Sequence, residues 1–431
     1  MIFNHITIAK TGDYDQVIIH LCQHLSLLLP YVGGPSEASA LIPIIEPLCH
    51  LEETVLREAI TSSVCSILAV VPPDHEDTMK AFFDMTQRLY DGDEESDSFF
   101  GRVSICFYLH ALYDATADSD NKESIRDMYS KLIADDFPMV RSSAAKILPK
   151  LARTAPKDIL IGEFMHYLST LCSDESEAVK VAAVESLQPL GELLAAAGTS
   201  HEERAELISS VKSAAYDPSW RVRIAISRSL KFFVSFFAPE RSASDLLPCG
   251  ITLIQDVEIE VRSIAIEAMA PFYAVSGNSF LTEFVAVAKL LLEDPQCAMK
   301  KGLADVCIDV AAQAGPEIAA NYFNDLIIKL IGDADPMVRL RVLKKLDVIA
   351  QDIPSLCVRL VSTLRQFFSD AHWRTRLELA KSMPAVVKHL GMEFFLDHFL
   401  AEFLITLKDD VCDVRFATCD ALRPLMEAAG K

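Results

Sequence analysis

Glycine is scarce in this 431-residue chain. It supplies 15 residues, about half the usual frequency of roughly 7%. That scarcity argues against folds built from glycine-rich phosphate loops and tight hairpins. It suits helices, where glycine costs about 1 kcal/mol relative to alanine. Eleven cysteines are present, but no two form a C-x-x-C pair. An odd count without a framework fits reduced thiols in cytosol or nucleus. Five of them (Cys65, Cys106, Cys307, Cys357, Cys419) stand in apolar helical stretches, where cysteine acts as a small hydrophobe. The N-terminus, MIFNHITIAKTGDYD, has no basic region followed by an apolar core and a cleavage site, so it does not read as a signal peptide. The longest uncharged run, Gln16 to Ser36, contains His20, His24, Pro30, Gly33 and Gly34. A spanning helix tolerates these poorly, and the run reads as a core helix followed by a turn. No basic patch offsets the net charge of -21, so neither nucleic acid nor an anionic membrane surface is an expected partner. The phosphate-loop, dinucleotide, nucleophile-elbow and H-E-x-x-H motifs are all missing.

What is present is apolar and periodic. Half of the residues are hydrophobic, enough for a large core. The length suggests about three ordinary domains of roughly 150 residues, but internal repetition replaces that division. Basic residues that follow a short hydrophobic residue fall at Arg57, Arg102, Arg141, Lys180, Arg223, Arg262, Lys300, Arg339, Arg376 and Arg415. The intervals are 45, 39, 39, 43, 39, 38, 39, 37 and 39 residues. One step back, Ile19 marks an eleventh register that has lost its basic residue. Six residues before the markers stand Asp13, Asp135, Asp174, Asp217, Asp256, Asp294, Asp333, Asp370 and Asp409, with Leu51 and Ser96 as the exceptions.

Each unit reads as a helical hairpin. An apolar stretch precedes the aspartate, as in 164–171, and a second follows the basic residue, as in 181–187. The aspartate lies between them and is expected to cap the second helix. The basic residue reaches either its own aspartate or a neighbour's, so a charge ladder is expected along one edge. Small residues after the marker (Ala144, Ala145, Ala182, Ala183, Ala265, Ala304, Ala380, Ala417) permit close helix approach. One hairpin of about 39 residues cannot bury its own apolar faces, and stacking does so. The expected fold is therefore all-α, a superhelical solenoid of about eleven hairpins over residues 1–431. The 45-residue interval holds an acidic enlargement, Asp91 to Asp97, and the 43-residue interval a longer turn around Ala195 to His201.

Candidate chemistry is thin. His20 and His24 have ligand-like helical spacing but no third partner, and read as surface histidines. His75-Glu76 and His201-Glu202 lie in polar connectors, too few and too exposed for a di-iron hydroxylase of this repeat class. No enzyme, metal or cofactor is expected. The two tryptophans say more. Asp217-Pro218-Ser219-Trp220-Arg221-Val222-Arg223 and Asp370-Ala371-His372-Trp373-Arg374-Thr375-Arg376 place a Trp-Arg pair at the same turn of two repeats. Such pairs match the composition of binding hot spots.

The D…VR units resemble HEAT repeats. Particular segments resemble the scaffolding (A) subunits of type 2A serine/threonine protein phosphatases: Val32 to Pro35, Leu51 to Arg57, Asp135 to Arg141, Asp217 to Arg223, Asp370 to Arg376 and Leu390 to Phe395. The likeness runs in order along nearly the whole chain. It implies a non-catalytic scaffold, cytoplasmic and also nuclear, with two partners: a type 2A-like phosphatase catalytic subunit plus a regulatory (B-type) subunit. The regulatory side is the part over about 1–300. The matching positions are Pro138, Met139 and Arg141, then Glu175, Ser176, Glu177 and Val179, then Trp220 and Arg221. The catalytic side starts over about 353–431, with Trp373, Arg374, Val411 and Cys412. Three departures stand out. The family carries fifteen repeats, so the chain is expected to start inside the second and stop after the twelfth. An aromatic residue of the family is replaced by Cys412, and a Trp-Phe pair by Ser98-Phe99. The ladder by itself also fits another HEAT adaptor, such as a transport receptor or a chromosome-associated scaffold.

Overall fold

A computed structural model describes residues 15–72, 75–92 and 99–428. Among these, every regular element is a helix. The register aspartate Asp13, and most of the acidic enlargement with Ser96 and Ser98, lie outside the described residues. The chain divides into two compact units, Met1–Ala214 and Ala215–Lys431.

In the first unit the second helices of successive hairpins are Asp15–His24, Thr54–Leu68, Phe100–Ala115, Pro138–Ala152 and Glu177–Ala196, each packed on the next. In the second unit they begin with Trp220–Phe236 and continue as Ile259–Ala265 extended by Met269–Ser276, then Cys297–Ala314. Pro336–Leu343 with Leu346–Asp352, Trp373–Leu390 and Cys412–Ala428 complete that series. These eleven helices match the eleven registers of the sequence. The small residues at their contacts are buried as expected: Ala144, Ala145, Ala183, Ala265, Ala304 and Ala380 have no exposed surface. At Gly302 the approach is closer still. A β-carbon there would sit 2.5 Å from Cγ2 of Ile266 in the preceding repeat.

Three first helices share a feature that periodicity did not reveal. Each starts with one α-helical turn, widens into a π turn and then resumes as an α-helix. The widened turns are Leu160–Phe164, Ser242–Leu246 and Ala319–Phe323. A π turn holds more than four residues, so side chains four apart stay on one face. Leu160 with Phe164, Ser242 with Leu246, and Ala319 with Phe323 are accordingly all buried. The longer turn in the 43-residue interval closes on Gly198, whose φ of 64° is left-handed. A reciprocal cap follows it: the Ser200 N–H donates to Glu203 and the Glu203 N–H donates to Ser200 Oγ.

Candidate functional site

In eight of the hairpins the turn between the two helices is built on one motif. The aspartate Oδ1 accepts the backbone N–H two residues on. Asp135 takes Phe137 (2.9 Å), Asp174 takes Ser176 (2.8 Å), Asp256 takes Glu258 (2.9 Å), and Asp370 takes His372 (2.7 Å). This corrects the expected helix cap. The second helix starts three residues after the aspartate, so its first-turn N–H groups lie beyond that carboxylate. The aspartate instead folds the turn that leads into the helix. Asp217, Asp294, Asp333 and Asp409 form the same turn with Ser219, Gln296, Asp335 and Val411.

The arginine answers both possibilities left by the sequence. Its Nη1 donates to the carbonyl of the aspartate in its own repeat, six residues back. The distances run from 2.6 Å for Arg415 to 2.9 Å for Arg339. The side chain also reaches the aspartate carboxylate of the next repeat, through Nε and Nη2 in Arg102, Arg141, Arg223 and Arg376, through Nη2 in Arg262 and Arg339, and through Nζ in Lys300. In the first unit these pairs are Arg102–Asp135 (2.6 Å) and Arg141–Asp174 (2.7 Å). In the second they are Arg223–Asp256 (2.5 Å), Arg262–Asp294 (3.4 Å), Lys300–Asp333 (3.0 Å), Arg339–Asp370 (3.1 Å) and Arg376–Asp409 (2.6 Å). These pairs are largely shielded from water; in Arg376–Asp409 the side chains are 15% and 7% exposed. Burial alone would raise the Asp256 carboxyl, but Arg223 and the Glu258 N–H outweigh it and hold it below the usual range. The hydrogen bonds of Arg376 hold Asp409 low in the same way.

The ladder changes character at its first step. Arg57 still donates to the Leu51 carbonyl at 2.7 Å, because a backbone acceptor survives the loss of the aspartate side chain. Its guanidinium lies 5.0 Å from the Phe100 ring, in a cation–π contact. Phe99 stacks on Phe137 at 4.7 Å, and the Arg102 guanidinium lies over the same Phe137 ring at 5.5 Å. Aromatic faces therefore line this stretch of the edge.

The positions suggested for partner binding fall into two groups. Pro138 and Met139 are exposed, Met139 at 53%. Glu175 projects into solvent, 3.5 Å from Arg141. Arg221 and Arg374 are exposed and lie over the rings of Trp220 (4.9 Å) and Trp373 (4.5 Å). Cys412 is exposed at the start of the last helix. Arg141 and Val179, by contrast, are buried, one in the ladder and one in the core. They shape the turn and present little surface of their own. Ser176, Glu177, Trp220, Trp373 and Val411 are half-buried. The tryptophans stand on the first residue of the second helix, one step beyond the turn where the sequence suggested them. Exposed Met337, Tyr216 and Val257 share this edge and were not singled out, because isolated apolar residues carry no spacing signal.

The remaining candidates do not assemble. His20 and His24 are exposed neighbours on one helix, with ring centroids 4.2 Å apart. His75 precedes the helix Glu76–Asp91, and His201 and Glu202 lie in a turn. Among the described residues no three His, Cys, Asp or Glu side chains converge as a metal-ligating cluster. No helix among them is long and apolar enough to cross a membrane.

Stacked helical hairpins joined edgewise by an Asp-Arg ladder define a HEAT-repeat helical scaffold. Solved structures agree at the level of fold. Kap121p gives a TM-score of 0.67 at 15% identity, covering 98% of this chain and 48% of that one. Importin beta gives 0.61 at 13% identity, covering 100% of this chain and 60% of that one. No protein-family model matches. Sequence relatives are more specific. The alpha isoform of the 65 kDa regulatory (A) subunit of protein phosphatase 2A from Arabidopsis thaliana is 36% identical over 156 residues, 36% of this chain and 25% of the relative. The beta isoform of the human 65 kDa regulatory (A) subunit is 28% identical over 343 residues, 78% and 55% of the two chains. The Saccharomyces cerevisiae regulatory (A) subunit is 27% identical over 249 residues, 56% and 38%. The chain is a divergent relative of the regulatory A subunits of protein phosphatase 2A. It spans between a quarter and about half of the length of these relatives.

Proposed function

We propose that the chain is a non-catalytic scaffold. It holds a type 2A-like serine/threonine phosphatase catalytic subunit together with a B-type regulatory subunit on the inter-helix turns of its repeats, in the cytoplasm and nucleus. The observation that carries this reading is the pair of Trp-Arg turns. Both present a guanidinium stacked on a half-buried indole at the same place in their repeats. Trp and Arg are the residue types that dominate protein–protein hot spots. Relatedness to A subunits names the partners. Pro138, Met139, Glu175, Ser176, Glu177, Trp220 and Arg221 are assigned to the regulatory subunit, with Arg141 and Val179 supporting them. Trp373, Arg374, Val411 and Cys412 are assigned to the catalytic subunit.

The test is a binding titration of the full chain with each purified subunit. Trp373→Ala with Arg374→Ala is expected to weaken the catalytic subunit by about 2 kcal/mol or more and to spare the regulatory one. Trp220→Ala with Arg221→Ala is expected to do the reverse. Binding of neither subunit to the unaltered chain would overturn the proposal. Recovery of nuclear-transport or chromosome-associated partners without phosphatase subunits would replace it with another kind of HEAT adaptor.

A further inference from the structure

Four residues part His20 from His24 on the helix Asp15–His24, so both side chains lie on one face, one turn apart. No other two histidines in the sequence stand three or four residues apart. Spacing alone left this pair without a third partner and without a role. The structure adds two facts. Both rings are exposed, and their centroids are 4.2 Å apart with the planes tilted by 40°. His24 Nδ1 lies 2.8 Å from the carbonyl oxygen of His20.

The second fact fixes the chemistry of His24. A carbonyl oxygen can only accept, so Nδ1 is the ring nitrogen that carries the hydrogen. In the neutral ring the lone pair is then on Nε2. Metal-ligating imidazoles are ordinarily held in this way, with the other ring N–H donated to a carbonyl or a carboxylate. Here the carbonyl belongs to the other histidine, so one hydrogen bond both selects the tautomer and ties the two residues together. The first fact supplies the reach. Two nitrogens at about 2.0–2.1 Å from one ion stand about 3 Å from each other. Rings with centroids 4.2 Å apart come to that separation by side-chain rotation alone, which exposed residues undergo readily. The net charge of -21 also favours a cation over an anion as the ligand.

We propose that His20 and His24 chelate a divalent transition-metal ion, each through Nε2. Imidazole suits copper, nickel and zinc, whereas magnesium and calcium take oxygen ligands. Two protein ligands leave the other coordination positions to water or to a donor from another molecule. The site is therefore a surface site of exchange, in keeping with the lack of a three-ligand cluster among the described residues. It stands independently of the scaffold reading.

The test is titration of the full chain with Cu2+, the strongest binder of the divalent series, read by electron paramagnetic resonance. One ion per chain should bind saturably with a Kd of about 1–100 µM, and its spectrum should be split by two imidazole nitrogens. His20→Gln and His24→Gln should each weaken uptake about tenfold or more and remove the two-nitrogen pattern. Circular dichroism should show the helix content unchanged in both, since the side chains are exposed. His201→Gln, which removes a lone exposed histidine in a turn, should bind as the unaltered chain does. Zn2+ should displace Cu2+ when in excess, and Mg2+ should not. No saturation up to about 1 mM overturns the proposal, and so does uptake within about twofold of the unaltered chain in both variants, which would mark an adventitious ion only.

Discussion

Replacing Asp256 by alanine removes one complete rung of the ladder. Arg223 then loses two charge-assisted hydrogen bonds, at 2.5 and 2.9 Å, and the Glu258 N–H loses its acceptor at 2.9 Å. The Arg223 and Asp256 side chains are only 14% and 6% exposed, so water replaces the lost partner poorly. Breaking a buried pair from one side costs about 3–5 kcal/mol, and losing a turn or cap acceptor about 1 kcal/mol. Arg223 keeps its two carbonyl acceptors and retains some solvent contact, which places the expected loss near the lower end, at about 3 kcal/mol. Asp256→Asn retains an acceptor for Glu258 and one for Arg223, and about half that loss is expected. Repeat arrays do not unfold as one cooperative block, so a single melting temperature would blur the effect. Hydrogen exchange resolves it. Protection should fall in the helices Trp220–Phe236 and Ile259–Ala265, and much less in Trp373–Leu390. Arg423→Ala is the control. It breaks a pair on the last helix whose side chains are 86% and 62% exposed, and should cost under about 0.5 kcal/mol. A loss below about 0.5 kcal/mol for Asp256→Ala, or an equal loss of protection throughout the second unit, would refute the rung as a local clamp.

Acid should act through the same rungs. Asp256 and Asp409 have depressed carboxyl pKa values, so their stabilisation is complete above the ordinary carboxylate value of about 3.9 and disappears as pH falls through their lower folded values. Thermal melts should be flat from about pH 7 to 5 and drop below about pH 4; stabilisation on acidification there would contradict the sign. Gly302→Ala should destabilise by about 1–3 kcal/mol despite its better helix propensity, because the new methyl meets Ile266 Cγ2. Ile266→Leu, which removes that branch, should recover part of the loss in a chemical denaturation series. Thiol titration of the folded chain should find Cys412 and Cys419 reactive. Burial pushes Cys22 up to about 11 and Cys357 to about 12, and those two should react only on unfolding.

Much of the repeat was legible because its two fixed distances are short and local. The six-residue step from aspartate to arginine survives divergence, and with it the inference of an all-α solenoid. The partner of each arginine was not legible, since its own aspartate and the next are both within reach of a long side chain. The structure shows a division of labour: the backbone carbonyl of the first and the carboxylate of the second. The role of the aspartate was misassigned for a related reason. A turn closed at the second residue and a cap closed two or three residues later differ by one helical step, beneath the resolution of periodicity. The π turns escaped because a proline near the helix start and a pair of small or apolar residues four apart also describe an ordinary α-helix. Of the candidate site, the Trp-Arg pairs could be read from repetition alone. The exposed apolar residues beside them could not, since Tyr216 and Val257 come from successive repeats and share no spacing signal.

The two-handed grip of the arginine also governs where the chain can change length. Nη1 ties Arg57, Arg141, Arg223, Arg262, Arg339, Arg376 and Arg415 each to a carbonyl six residues back, so any residue inserted in that short leg would pull the guanidinium off its acceptor. The other leg, from an arginine to the next aspartate, is closed only by side chains after two helices and a connector. In the sequence the first leg never varies, whereas the second is 31 residues from Arg339 to Asp370, 33 from Arg376 to Asp409 and 37 from Lys180 to Asp217. Apart from the acidic enlargement Asp91 to Asp97, which falls between the two helices of one hairpin, insertions and deletions are thereby channelled to helix lengths and to the connectors between hairpins, while the turns keep their spacing.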